Sequence, residues 1–220
     1  MTTTDTRTAI LDLAEKLIRS RSFNAFSYQD VAEGIGIRKA SIHYHFPSKE
    51  DLGVALVERF RGQAVGWAST LVQRHASPLE KLDAYLNMQA ENLGPRGMIC
   101  PQGILGAEFN ALPERVQEAY VEFLEQVQAW LASLLRKGQR QGVFRDETSP
   151  EDQAAFIQSA VQGALQLARA SGKQERFHAV VKGLRSHVLK QPASAGMVAA
   201  GAEPATGGRA GSRVEDAPGG

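Results

Sequence analysis

The apolar positions along the chain follow the pattern of amphipathic helices from the N-terminus to about residue 190. Ile10, Leu11, Ala14 and Ile18 share one helical face, and threonine and aspartate residues ahead of them can cap a first helix. The same spacing predicts further helices at 28–33, 38–44, from 48 onwards, 78–93, 102–111, 114–140, 150–170 and 174–189. No stretch alternates with the period of two expected for strands, so the expected fold class is all-α.

Near the N-terminus, two short helices are separated by a glycine turn. Ser27 is a good N-cap for the first helix, and Gly34 and Gly36 are expected to end it. The second helix runs over about 38–44, and Pro47 precedes a long third one. A turn of three or four residues between two short helices is typical of a helix-turn-helix. The pattern therefore indicates a small DNA-reading head.

The second short helix presents polar side chains, which suits it to the major groove of DNA. Its outward positions are expected to be Arg38, Lys39, Ser41, Tyr44 and His45. Arginine and lysine can reach guanine edges or phosphates from such a helix, and Lys49, at the start of the next helix, is expected to meet the phosphate backbone. The alternative is a solvated helix pair, which also occurs in helical proteins that never touch DNA.

The strongest motif in the chain is the run Ile37-Arg-Lys-Ala-Ser-Ile-His-Tyr-His-Phe-Pro-Ser-Lys-Glu-Asp-Leu. It resembles the reading-helix signature of the TetR family of bacterial regulators, over residues 6–60. The resemblance implies a ligand- or electrophile-responsive repressor that binds a palindromic double-stranded DNA operator as a homodimer. It also implies backbone and groove contacts at Ser27, Tyr28, Arg38, Lys39, Ala40, Ser41, Tyr44, His45 and Lys49. His43 departs from the family, which usually has tyrosine there.

The resemblance further implies that helices 150–170 and 174–189 form a four-helix bundle with a second copy. The first helix combines apolar Phe156, Ile157, Val161 and Leu165 with small Ala160, Gly163 and Ala164. The second has the apolar stripe Phe177, Val180, Val181, Leu184 and Val188. On this interpretation Phe177→Asp or Val181→Asp dissociates the dimer by burying an unpaired charge. Both stripes could instead face the chain's own core.

A small-molecule effector cavity among the central helices is also implied by the family. Candidate lining residues are Trp67, Tyr85, Met88, Phe109, Tyr120 and Phe123, although such residues at helical spacing are more often plain core. The segment from Gly97 to Pro113 resembles the N-ethylmaleimide reductase repressor (NemR-like) branch, where a cysteine precedes the sixth helix. Cys100 occupies that point, near a helix N-terminus that favours the reactive thiolate form. A buried, inert cysteine is the alternative.

Composition sets the class of protein but not its function. The 220 residues are 43% hydrophobic and 22% charged, with a net charge of +1, which are globular values that say little about partners. The single cysteine excludes an internal disulfide and fits a reducing cytoplasm. No stretch is long and apolar enough to span a bilayer, so no membrane association and a cytoplasmic location are expected.

No enzymatic chemistry, cofactor or metal is expected. The chain lacks a phosphate-binding glycine loop, an HExxH motif and a nucleophile elbow. Glu108 and Glu114 have the positions of ordinary surface or capping acids, and His43 and His45 point to different helical faces. A helical enzyme and an adaptor without DNA binding are therefore the alternative classes.

The chain divides into three parts. Residues 1–50 are the expected DNA-binding domain, and residues 51–190 the effector-binding and dimerisation domain. Residues 191–220 contain seven glycines, eight alanines and three prolines but no aromatic residue, so they cannot bury enough apolar surface to order themselves. We expect this tail to be disordered.

Overall fold

The structure, a computed structural model, describes residues 3–91, 93 and 100–190. The helices in this part of the chain are α1 Thr3–Arg21, α2 Tyr28–Ile35, α3 Lys39–His45, α4 Lys49–Gln73, α5 Pro78–Glu91, α6 Pro101–Ala107, α7 Glu114–Arg140, α8 Pro150–Ser171 and α9 Glu175–Val188. Within these ranges the β pairing is confined to one isolated bridge, Phe144–Leu189. The expected all-α fold is confirmed, while the tail at 191–220 lies outside the described residues.

Helices α1 to α3 and the first half of α4 enclose the core of the head. Gly34 lies inside α2, where an added Cβ would stand 2.4 Å from Cδ2 of Leu13, so glycine allows α1 to approach closely. Gly36 ends the helix with a φ of +77°, a left-handed conformation that favours glycine. The prediction that both glycines break the helix is therefore wrong for Gly34.

Helix α4 connects the head to the body without interruption, and the proposed division at residue 50 falls inside it. At Gly53 an added Cβ would lie 2.7 Å from Val116 and 2.8 Å from Phe23, so glycine lets α7 and the head pack against α4. The head core continues through Phe60 to Leu105 and Phe123 of the body. Head and body therefore share one continuous apolar core.

Helix α6 is shorter than the predicted 102–111. It ends at Ala107, and a 3₁₀ turn follows at Phe109–Ala111. Pro113 favours an extended conformation at Leu112, which has φ −78° and ψ 147°, so helical structure does not continue beyond the 3₁₀ turn.

Helices α5, α7, α8 and α9 enclose a second core. Phe177, Leu184 and Val188 of α9 are buried in it, and Phe177 is only 1% exposed. The prediction that Phe177→Asp would dissociate a dimer is therefore wrong, because that charge would disrupt the subunit itself. The large apolar side chains that α8 and α9 leave exposed are Phe156, Leu167 and Val180.

None of the helices in the described ranges combines the length and the apolar character that crossing a membrane requires.

Candidate DNA-reading head and ligand cavity

The start of α2 is fixed by a capping box. The Ser27 backbone N–H donates to Asp30 Oδ2 at 2.7 Å, and the Asp30 N–H donates to Ser27 Oγ at 3.3 Å. Hydrogen bonding from the Ser27 side chain is the main cause that lowers the pKa of Asp30, with Arg21 as a smaller contributor. Ser27 remains exposed beside this cap.

Helix α3 presents an outward face without an acidic residue. Arg38, Lys39 and Ala40 are exposed, and the Tyr44 side chain is 76% exposed. Ser41 and His45 are half-buried at the edges of the same face. The Tyr44 ring lies 5.1 Å from that of His45, whereas Ile42 points inward and is buried.

The acids of the head are paired away from this face. Arg59 bonds Glu15 at 3.1 Å, and Arg21 lies 3.8 Å from Asp30. Among the described residues no carboxylate forms an ion pair with Arg38 or Lys39. Local positive charge therefore remains at the start of α3.

Tyr28 is buried and supports the turn between α3 and α4. Its hydroxyl oxygen lies 2.8 Å from the Phe46 carbonyl oxygen and 2.5 Å from that of Ser48, so the two acceptors share its single proton. Burial, with a smaller effect of the Asp51 charge, raises the pKa of Tyr28 to about 12. The ring of His43 packs edge-on against Tyr28 at 4.9 Å. In this position Tyr28 supports α3 on the side opposite its outward face.

The Lys49 ammonium also points into the head. It lies 4.9 Å from the centre of the Phe23 ring and 4.7 Å from that of Phe26, and it donates to the Phe26 carbonyl at 2.5 Å. Burial lowers the pKa of Lys49, while the charges of Glu108 and Asp30 oppose that change. The expected phosphate contact would require this side chain to turn outward.

Glu108 joins the body to the head, a role that the sequence did not reveal. Its carboxylate accepts from Ser22 Oγ at 2.8 Å and from the Phe23 backbone N–H at 2.7 Å. Ser22 has a φ of +90°, an unfavourable conformation for a residue with a Cβ. The expectation that Glu108 is an ordinary surface or capping acid is therefore wrong.

A cavity of about 380 Å³ lies among α1, α4, α5, α7 and the start of α6. It brings together five of the predicted residues, Trp67, Tyr85, Met88, Cys100 and Phe123. Phe109 and Tyr120 do not line this cavity. The Tyr120 hydroxyl instead donates to the Gln102 carbonyl at 2.7 Å, and the Phe109 ring lies 6.0 Å from that of Tyr120.

Several lining residues were not predicted. Trp130 lies 5.5 Å from Trp67 and 5.9 Å from Tyr85, measured between ring centres. Phe60 adds apolar surface, and the polar groups include carboxamides such as Gln89. The periodic pattern of α7 placed Trp130 on the helix's apolar side, but that pattern could not show that a cavity faces it.

Two cavity residues carry polar atoms in a closely packed setting. Cys100 is buried as the N-cap residue of α6, and the Gln162 side-chain amide donates to its Sγ at 3.5 Å. Tyr85 is 2% exposed, and its hydroxyl makes no hydrogen bond of good geometry within the described chain. Burial raises the pKa of Tyr85, a nearby Cys100 charge adds to this, and the Gln89 amide acts in the opposite direction.

On the other side of α6 lies a second cleft, of about 420 Å³, between α6, α7 and α8. Its lining includes Tyr120 together with Gln158, Gln162 and Gln166. These three glutamines of α8 therefore face this cleft. Across the described ranges, no group of three or more histidine, cysteine or acidic side chains is placed to hold a metal ion.

Comparison with known families agrees with this geometry. The model for bacterial regulatory proteins of the tetR family matches residues 10–56, and that for the tetracyclin repressor-like C-terminal domain matches residues 79–184. The HTH-type transcriptional repressor DhaR of Mycobacterium sp. (strain GP1) is 25% identical over 166 residues, covering 75% of this chain and 83% of the relative. Such relatives are transcriptional regulators, which decides against a helical enzyme.

Solved structures show the same fold. A TetR-family regulator from Agrobacterium tumefaciens is 30% identical, with a TM-score of 0.82 over 86% of this chain and 100% of that one. Reduced E. coli NemR, at 24% identity, has a TM-score of 0.78 over 86% and 99% of the two chains, which shows a shared fold and does not establish that branch. The chain belongs to the TetR family of bacterial regulatory proteins and is a DNA-binding, helix-turn-helix regulator of transcription.

Proposed function

We propose that this regulator represses transcription by binding a palindromic operator as a homodimer, and that a small molecule in the 380 Å³ cavity releases it. Regulators of this family bind DNA operators as dimers and respond to small-molecule effectors. The observation that carries the proposal is the outward face of α3, where exposed Arg38, Lys39 and Tyr44 stand without a neighbouring acid on the helix. Such a face combines attraction to phosphates with groups that can read base edges.

The proposed contacts fall into two groups. Arg38, Lys39, Ala40, Ser41, Tyr44 and His45 meet the groove, and exposed Ser27 at the start of α2 meets the backbone. Tyr28 and Lys49, whose polar ends are engaged within the head, hold α3 in position. Residues 1–50 and 51–190 remain the proposed DNA-binding and effector domains, with α4 common to both.

The proposed dimer interface uses the exposed sides of α8 and α9. Leu167 is 60% exposed, and Phe156 and Val180 are also exposed, although all three are apolar. Gly163 lies on the same side of α8, with open space around the position of a Cβ. Exposed apolar side chains beside a small residue suit the close approach of a second helix pair.

Covalent modification of Cys100 is a second proposed route of release. The cysteine lines the cavity and directly precedes α6, and Glu108 at the other end of this helix contacts the head. An adduct at Cys100 adds volume at a packed helix start, where overpacking costs about 1–3 kcal/mol. That cost changes DNA affinity if it differs between the bound and the released conformations.

A gel-shift experiment with DNA from upstream of the protein's own coding region tests the proposal. Lys39→Ala and Tyr44→Ala should each weaken binding by about 1–3 kcal/mol, and neither should change helical content. Lys137→Ala, on an exposed position of α7, is the matched control and should bind like the wild type. If Lys39→Ala and Tyr44→Ala both bound this DNA as tightly as the wild type, α3 would not be the reading helix.

A further inference from the structure

We propose that His43 binds a phosphate oxygen of the operator through its Nε2 atom, and that it does so in its protonated, positively charged form. Each head then takes up one proton when DNA binds, so operator binding strengthens as the pH falls. This inference rests on the proposed function, in which α3 reads the operator, and it adds a contact and a way in which that contact is regulated.

His43 shares an exposed face of α3 with Lys39. The two residues are four positions apart, which places their side chains next to one another on one side of the helix. His43 is itself exposed, and Pro47, which it contacts, leads directly into the start of α4. On the proposed function, this position between the reading helix and α4 is open to a phosphate of the DNA backbone.

The hydrogen bond that the ring makes determines which of its nitrogens is free. Nδ1 of His43 lies 3.1 Å from the carbonyl oxygen of Pro47. A carbonyl oxygen can only accept, so Nδ1 carries the hydrogen. In the neutral ring Nε2 is then an acceptor, which a phosphate oxygen cannot satisfy. In the protonated ring both nitrogens donate, so Nε2 can bind a phosphate while Nδ1 keeps its bond to Pro47.

The orientation of the ring is fixed before any DNA is bound. It packs edge-on against Tyr28, with 4.9 Å between the ring centres and 64° between the planes. The Tyr28 hydroxyl is in turn held by the carbonyls of Phe46 and Ser48. In the part of the chain that the structure describes, the contact with Pro47 is the hydrogen bond of this ring, and Nε2 makes none. A side chain that is already oriented loses little freedom on binding.

The head provides no negative charge to favour the protonated ring. Among the described residues, no carboxylate forms an ion pair with His43. The titratable groups beside it are Lys39, one turn earlier on α3, and Tyr28 of α2, and neither supplies a negative charge. A histidine changes its charge between about pH 5 and 8. Because a phosphate favours the charged form, its arrival draws a proton from solvent.

Gel shifts at about pH 8 and about pH 6 measure this linkage. With DNA from upstream of its own coding region, the wild type should bind about tenfold more tightly at the lower pH, about threefold for each of two heads, which corresponds to one exposed ion pair per head. The slope of log affinity against log salt concentration should also be steeper at the lower pH, by about 0.9 for each head, because a further phosphate contact releases counterions.

His43→Gln keeps a donor for the Pro47 carbonyl but cannot take up a proton. It should lose both the tenfold change and the change in salt slope. His75→Asn is the matched control, because His75 is exposed after the end of α4 and asparagine tolerates its φ of +53°, and it should retain both changes. His45→Gln tests the neighbouring histidine of α3, and the dependence on pH should persist in it whatever its overall affinity.

Calorimetry of the wild type in two buffers with different heats of ionisation counts the protons without any substitution, and it should show uptake on DNA binding. Circular dichroism at both pH values checks that His43→Gln is folded. Equal wild-type affinity at the two pH values, equal salt slopes, a full dependence on pH in folded His43→Gln, or no net proton uptake would each overturn the inference. Any of these results with normal operator binding leaves the proposed function intact. No operator binding at either pH would refute the proposed function, and this inference with it.

Discussion

Replacing Glu108 with alanine should destabilise the packing of the head against the body. The carboxylate accepts two hydrogen bonds shorter than 3 Å, from Ser22 Oγ and the Phe23 N–H. Hydrogen bonds to charged groups contribute about 1.5–3 kcal/mol each, and partial exposure of this site reduces the total. We therefore expect Glu108→Ala to lower the free energy of unfolding by about 2–3 kcal/mol.

The backbone at Ser22 responds to the loss of these bonds. Its φ of +90° is unfavourable for a residue other than glycine, and such conformations cost about 1–3 kcal/mol and persist only where surrounding contacts hold them. Without the carboxylate, the connection between α1 and α2 loses the bonds that hold this conformation, and relief of the strain offsets part of the lost stability. Local relaxation there should change the position of α3 and weaken operator binding.

Urea unfolding of the full chain, followed by circular dichroism at one fixed protein concentration, measures the effect. The concentration must be held constant because the stability of the proposed dimer depends on it. Glu108→Gln should lose less than Glu108→Ala, since the amide oxygen can still accept one bond. Glu125→Ala, at an exposed position of α7, is the matched control and should change stability by less than about 0.5 kcal/mol.

A double-mutant cycle identifies the contact itself. Ser22→Ala should destabilise the wild type and have little further effect in the Glu108→Ala background, because the hydrogen bond is then already absent. Additive losses, or a Glu108→Ala protein as stable as the Glu125→Ala control, would refute the reasoning.

Two further predictions concern assembly and sensing. In light scattering, Phe156→Asp should give a folded monomer, and the matched exposed variant Val121→Asp of α7 should stay dimeric. Phe177→Asp should instead lose helical content, because it buries a charge in the core. A wild type that is monomeric at micromolar concentration would contradict the interface. N-ethylmaleimide should release the wild-type protein from DNA but not Cys100→Ser; release of both, or of neither, would assign Cys100 a structural role.

Local sequence signals were sufficient to predict the helices of the head. The capping box at Ser27 and the left-handed Gly36 depend on residues only a few positions apart, so the sequence displays them. The contact of Glu108 joins residues 85 and 86 positions apart, and no local pattern records it. Residue type alone therefore assigned this acid to the surface.

Periodicity showed which faces are apolar but not what covers them. Phe177 and Phe156 both belong to apolar patterns, yet one faces the subunit's core and the other faces solvent. The early end of α6 at Ala107 places Phe109 in a 3₁₀ turn, outside the cavity wall. Trp130, on the apolar side of α7, instead lines the cavity beside Trp67. Whether an apolar residue belongs to the core or to the cavity wall therefore depends on its position in the folded chain and not on its residue type.

Helix α6 has only seven residues, Pro101–Ala107, and at 1.5 Å per residue it is about 10 Å long. Cys100 and Gln102 at its start line the cavity, and Glu108 directly after its end bonds the head. On the proposed function, detection and transmission share this one short helix, whereas most of the cavity wall comes from α4, α5 and α7. On the proposed function, substitutions at cavity positions outside the head core, such as Trp67 and Trp130, can change which compound is recognised without changing the contact of Glu108 with the head.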